Sequence, residues 1–136
     1  MPETQIPRQS VSADISRGAV QLLREFTGRG PVKARTEISK HTVTVVLADT
    51  LTKGERSLVK AGKQEHVLHT RHHLQQVMRE ELVRLVETQT RRRVQAFMSA
   101  NHVDPDCGVE FFLLEPPTDV ETSKSDGRPS SDGRPS

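Results

Sequence analysis

The chain has 136 residues, one cysteine, no tryptophan or tyrosine, and 32% hydrophobic residues, which sets the scale at one domain with an aliphatic core. A lone cysteine excludes an intrachain disulfide and a cysteine-rich metal site and fits a reducing compartment; no apolar run approaches the ~20 residues of a membrane-crossing helix. Lysine plus arginine number 20 against 18 aspartate plus glutamate, a balance that permits contact with nucleic acid, anionic lipid or acidic protein and selects none of them.

Residues 1–9 hold two prolines and little that packs, so they read as a disordered lead without the apolar run of a signal peptide. Ser10 or Ser12 is placed to cap a helix by accepting a bond from an early free amide. Val11, Ile15, Ala19, Leu22, Leu23 and Phe26 then recur at three- and four-residue spacing, the pattern of a helix with one buried stripe. Gly28 ends that helix and Pro31 stops it resuming. From Val32 the period becomes two, with Ala34, Thr36 and Ile38 alternating with Lys33, Arg35 and Glu37 as in a half-buried strand. A turn at Ser39–His41 leads to a second strand carrying Val43, Val45 and Leu47, which completes a hairpin.

Thr52 and Glu55 have the spacing of a capping box, so a short helix is expected over about Lys53–Ala61, stopping at Gly62. The longest helix follows, about Gln64–Gln89, with Val67, Leu74, Val77, Met78, Leu82, Leu85 and Val86 as its apolar face and Arg71, Arg79, Glu80, Arg84 and Glu87 on the rest. Glu80 and Arg84 form an i,i+4 pair of favourable polarity. Val94–Ala100 reads as a third strand, Asn101–Asp106 as a turn bent at Pro105, and Val109, Phe111 and Leu113 alternate with Glu110 and Phe112 in a fourth. The order αββααββ points to an α+β fold over residues 10–115, a four-stranded, mostly antiparallel sheet of two hairpins with the helices packed on one face. Residues 116–136 open with two prolines and close with Ser-Asp-Gly-Arg-Pro-Ser twice, which gives them nothing to bury and marks a disordered tail.

Four groups of residues carry possible chemistry. At the junction after the first helix, Gly28 and Gly30 allow close backbone approach while Arg29, Lys33 and Arg35 supply charge-assisted donors, which suits a small anion or an acidic partner. Phosphate-loop spacing is absent, and a helix C-terminus opposes an anion; the bland alternative is a tight turn with solvated cations. His66, His69, His72 and His73 cluster on the long helix, but no carboxylate completes a set, so no metal is expected there. His102, Asp104 and Asp106 share a turn, where they either serve acid–base chemistry or simply cap nearby amides. Arg91–Arg93 could meet nucleic-acid phosphate, although no interleaved aromatic residues offer bases a stacking surface. Cys107, with no activating neighbour in sequence, reads as a buried inert thiol.

Several of these stretches recur together in one family. Gly28-Arg29-Gly30-Pro31 with Lys33-Ala34-Arg35, then Leu47-Ala48-Asp49-Thr50-Leu51-Thr52-Lys53-Gly54-Glu55, then Arg93–Ser99 and Asn101–Asp106, in that order and spacing, resemble the MpsC family. That family is named after a sodium-translocating, membrane-potential-generating system, and the similarity covers about residues 11–115. The resemblance implies an accessory of membrane-potential or bicarbonate-linked ion uptake rather than a transporter, and carries over no reaction and no cofactor. The expected function is therefore a non-enzymatic accessory or regulatory domain, cytoplasmic or peripheral to a membrane complex. It would act by protein contact or by a small anion held at Gly28, Arg29, Gly30, Lys33 and Arg35. The alternative is a nucleic-acid-binding module using Arg91–Arg93; an enzyme would need His102, Asp104 and Asp106 to converge on a pocket. A four-stranded sheet also leaves two free edges, at which a homodimer could form.

Overall fold

The computed structural model describes residues 8–29 and 32–117; the expectations for the lead before Arg8, for Gly30 and Pro31, and for the duplicated tail lie outside them. The elements are α1 (Arg8–Thr27), β1 (Lys33–Ile38), β2 (Thr42–Ala48), α2 (Lys53–Lys60), α3 (Gln64–Thr90), β3 (Val94–Val103) and β4 (Asp106–Leu114). This is the expected αββααββ order. All pairings are antiparallel, in the sheet order β1-β2-β4-β3. The second hairpin docks through β4 on the free side of β2, and α2 and α3 span the distance between the hairpins.

Local chemistry explains most boundaries. Gly28 has φ +78°, the left-handed conformation glycine adopts without a Cβ penalty, and its amide bonds Arg24 O at 2.8 Å to close α1. The capping box of α2 is complete, Glu55 N donating to Thr52 Oγ1 at 3.1 Å and Thr52 N to Glu55 Oε1 at 2.8 Å. α1 begins at Arg8, earlier than a cap at Ser10 or Ser12 requires, so both serines lie inside the helix. β3 runs on to Val103 and takes in Asn101 and His102, leaving Asp104-Pro105 as a two-residue turn with a cis peptide. The sequence pattern missed this extension because Asn and His are poor strand formers whose pairing is set by β4 across the ladder.

The core lies between one sheet face and two helices. Ile15, Ala19 and Leu23 of α1 and Met78, Leu82 and Val86 of α3 meet Val43, Val45, Leu47, Phe112 and Leu114. In β4 the face toward the helices carries Glu110, Phe112 and Leu114, so Val109, Phe111 and Leu113 point to the opposite side. α3 buries Val67, Arg71, Gln75, Met78, Leu82 and Val86. That stripe differs from the expected one: Val77 is 63% exposed, whereas Arg71 and Gln75 occupy buried positions. Arg84 turns to Glu81 at 3.5 Å rather than to Glu80. α2 buries no residue fully and makes its main contacts with α3.

Candidate functional site: a polar junction around residues 49–55

The segment leaving β2 is held from four directions. Asp49 sits at φ +61°, a conformation that aspartate tolerates better than most side chains. Arg29, just past the end of α1, donates Nε to Asp49 O at 3.0 Å and places Nη2 2.7 Å from Asp49 Oδ1. Arg56 donates to Leu51 O at 2.8 Å. Asp106, the first residue of β4, accepts from Thr50 N at 3.1 Å, Thr50 Oγ1 at 3.0 Å and Leu51 N at 2.9 Å.

Beneath these lies Arg71 of α3, 4% exposed. Its guanidinium makes a forked pair with Glu55, Nε to Oε2 at 3.0 Å and Nη2 to Oε1 at 2.5 Å, and also donates to Thr50 O at 2.5 Å. Glu55 thus caps α2 and anchors α3 at once. Burial works to raise its carboxyl, but the bonds from Arg71 and Thr52 outweigh this and hold it below the ordinary value of 4.5. The junction uses its charges internally: each cation and carboxylate faces a partner that fixes the loop. Asp106→Ala would leave the Thr50 and Leu51 amides without their acceptor, an expected loss of about 2 kcal/mol in urea unfolding. An unchanged midpoint would show that water replaces the carboxylate there.

The expected site residues divide. Gly28 is a helix terminator and Arg29 belongs to the junction, whereas Lys33 and Arg35 stand on the opposite sheet face, exposed. Arg35 has an exposed neighbour in Glu37 at 3.7 Å. Arg29 and the two β1 cations therefore do not converge on one point. His102, Asp104 and Asp106 also diverge: Asp106 turns to residues 50–51, His102 Nδ1 lies 2.9 Å from Pro105 O, and Asp104 is exposed at the turn. Of Arg91–Arg93, Arg92 is tied to Lys40 O at 2.6 Å and Glu115 O at 2.8 Å. His69 and His73 approach with Nε2 atoms 3.2 Å apart on the exposed side of α3, and among the described residues no three His, Cys, Asp or Glu side chains form a metal-binding group. Cys107 is half-buried rather than buried.

A second polar cluster went unnoticed in the sequence. Glu110 of β4 is 2% exposed and accepts from Gln75 Nε2 at 3.1 Å, while Asn101 Nδ2 donates to Gln75 Oε1 at 2.7 Å. Oε1 of Glu110 has no partner. Burial raises this carboxyl to about 7, against the opposing effects of the Gln75 bond and the nearby Ser99 hydroxyl. The signal available was the phase of α3: Arg71 and Gln75 continue the spacing Val67, Met78, Leu82, Val86 into the sheet.

No curated protein and no solved structure matches the chain. Among the described residues no helix is long and apolar enough to cross a membrane. The family described as Na+-translocating membrane potential-generating system (MpsC) matches residues 7–116, a span that holds both sheet hairpins, all three helices and the whole junction built on Arg29, Asp49, Glu55, Arg71 and Asp106. The chain belongs to the MpsC family.

Proposed function

We propose that this chain is a non-enzymatic accessory or regulatory domain of a membrane-potential-generating, bicarbonate-linked ion-uptake system, working by protein contact from the cytoplasmic side. The family match supports the link to a Na+-translocating, membrane-potential-generating system. What supports contact over chemistry is the division among the basic residues. Arg29, Arg71 and Arg92 are bonded to this chain's own carbonyls and carboxylates, while Lys33 and Arg35 face outward from β1.

Outward cations on a strand give a surface suited to an acidic partner, and such charges govern partner choice and association rate more than raw affinity. Anion binding at the Gly28–Arg35 segment is less well supported, since it requires Arg29 to leave Asp49. The nucleic-acid alternative has lost Arg92 to backbone carbonyls.

The test is fractionation of the native cell. The chain is expected to co-purify with membrane components of the uptake system, and Lys33→Glu with Arg35→Glu to reduce that recovery roughly tenfold, about 1.4 kcal/mol. Recovery wholly in the soluble fraction, free of any membrane component, would overturn the reading.

A further inference from the structure

On the side away from the described helices, β4 carries half-buried Val109, Phe111 and Leu113, and β2 carries Val46 and Ala48 beside Thr42 and Thr44. Across the sheet the register sets side chains in rows: Arg35, Val46, Val109 and Ala100; then Glu37, Thr44, Phe111 and Met98; then Lys33, Ala48, Cys107 and His102. Thr42, Leu113 and Ala96 begin a further row. These rows lie opposite the face of Val45, Glu110 and Phe112, which α1 and α3 cover. Met98, at its edge, is 54% exposed. An antiparallel sheet with one wet face normally alternates apolar with polar; a run such as Val109-Glu110-Phe111-Phe112-Leu113-Leu114 belongs to strands covered on both faces. A contiguous apolar surface of this kind marks an interaction site.

We infer that this open face pairs with the same face of a second copy of the chain, making a four-layer dimer of the order helix, sheet, sheet, helix. The inference rests on the reading of the chain as a contact module, and names one of its partners. Three observations select a second copy. First, the residues of this sequence outside the described ones contain only Met1, Ile6 and Val120 as large apolar side chains, too few to cover four strands.

Second, the size fits. Four strands about 4.8 Å apart and about seven residues long at ~3.3 Å each give a footprint of roughly 400 Å² per copy. The accessible area of a surface studded with side chains exceeds its flat footprint, so a pair approaches the ~1,000 Å² total that a specific interface requires. Third, the charges are self-complementary. A two-fold axis across the strands, along the row of Arg35, Val46 and Val109, lays each copy's Lys33 row against the other copy's Glu37 row. Cation then meets carboxylate at either end of the β1 edge, Arg35 meets its own counterpart on the axis with a Glu37 on each side to offset the like charges, and Val46 and Val109 meet their own counterparts in the centre. Such isologous face-to-face packing, with side chains interdigitating at about −30°, is the ordinary way two sheets share a core.

Sedimentation of the purified full chain, alone, up to about 100 μM tests this in the affinity range of a small interface. The wild type is expected to sediment at twice the 15.2 kDa chain mass. Phe111→Lys, which places a charge in the apolar centre, and Met98→Glu, which places one on its β3 edge, are each expected to raise the dimer dissociation constant roughly tenfold or more. At concentrations low enough for both proteins to be monomeric, Met98→Glu should retain the wild-type unfolding midpoint, since Met98 is already exposed in one copy; Val77→Glu, at an exposed position of α3, should leave the dimer intact. A wild type that stays monomeric at the highest concentration overturns the inference, as does a Met98→Glu variant that dimerises unchanged. A chain that is monomeric alone but recovered with membrane components through Met98 would overturn the second copy as occupant and leave the contact reading standing.

Discussion

Replacing Arg71 with alanine is expected to cost the fold about 3–5 kcal/mol, the range for removing one partner of a buried ion pair. The pair is forked and nearly dry, with side-chain exposures of 5% for Arg71 and 15% for Glu55. Deleting the guanidinium removes three bonds, orphans the Thr50 carbonyl, and strands the Glu55 carboxylate against α3. Because Glu55 still caps α2 through Thr52, the damage should concentrate where α2, α3 and residues 49–51 meet, leaving the two hairpins intact. Urea unfolding should show a lower midpoint with an unchanged slope. The pH dependence carries a separate signature. Glu55 is held below 4.5 in the fold, so its pairing adds stability above 4.5 that is lost as pH falls through its lowered folded value. Arg71→Ala should flatten that acid limb. A loss below about 1 kcal/mol would mean that the pair contributes specificity rather than stability.

Glu110→Gln is expected to have the opposite dependence and to stabilise the protein at alkaline pH. The folded carboxyl titrates at about 7 against 4.5 when exposed, a difference worth about 3 kcal/mol between the two protonation states. A raised carboxyl supports the fold fully below 4.5, and that support is lost as pH rises through about 7. Glutamine keeps the shape and hydrogen-bonding capacity but carries no charge. The stability difference, variant minus wild type, should therefore climb from near zero at pH 4.5 to about 3 kcal/mol at pH 8. The Glu55 contribution is common to both proteins and cancels in this difference. The side chains packed around Glu110, namely Gln75, Asn101 and Ser99 with Val45 from the neighbouring strand, carry no charge that could compensate it. A difference that stays flat from pH 5 to 8 would show that the folded carboxyl titrates near its exposed value, as it would if Glu110 reached water.

These two residues mark where local sequence signals stop. Helix and strand order, the Gly28 terminator, the Thr52–Glu55 capping box and the inward phase of Val43, Val45 and Leu47 were all legible, because each depends on periodicity or on neighbours within four residues. The phase of β4 was not. Val109, Phe111 and Leu113 are as apolar as Phe112 and Leu114, and which set turns toward the helices is set by pairing with β2 and β3. Glu110 then enters the core because it shares a face with Phe112. Arg71 and Gln75 likewise read as surface residues by type, and only the position of α3 over residues 50, 55 and 110 makes them buried partners.

The candidate contact residues show the same division. Sequence alone determined that Arg29, Lys33 and Arg35 follow a glycine-terminated helix, and that nothing at this spacing is a phosphate loop. Only the tertiary structure decided their separate fates. Arg29 lies within reach of Asp49, a residue 20 positions away in sequence, while strand alternation sends Lys33 and Arg35 to the uncovered side of the sheet. A chain pattern records which side chains alternate; which face is then covered depends on elements far away in sequence, and that is set by packing alone.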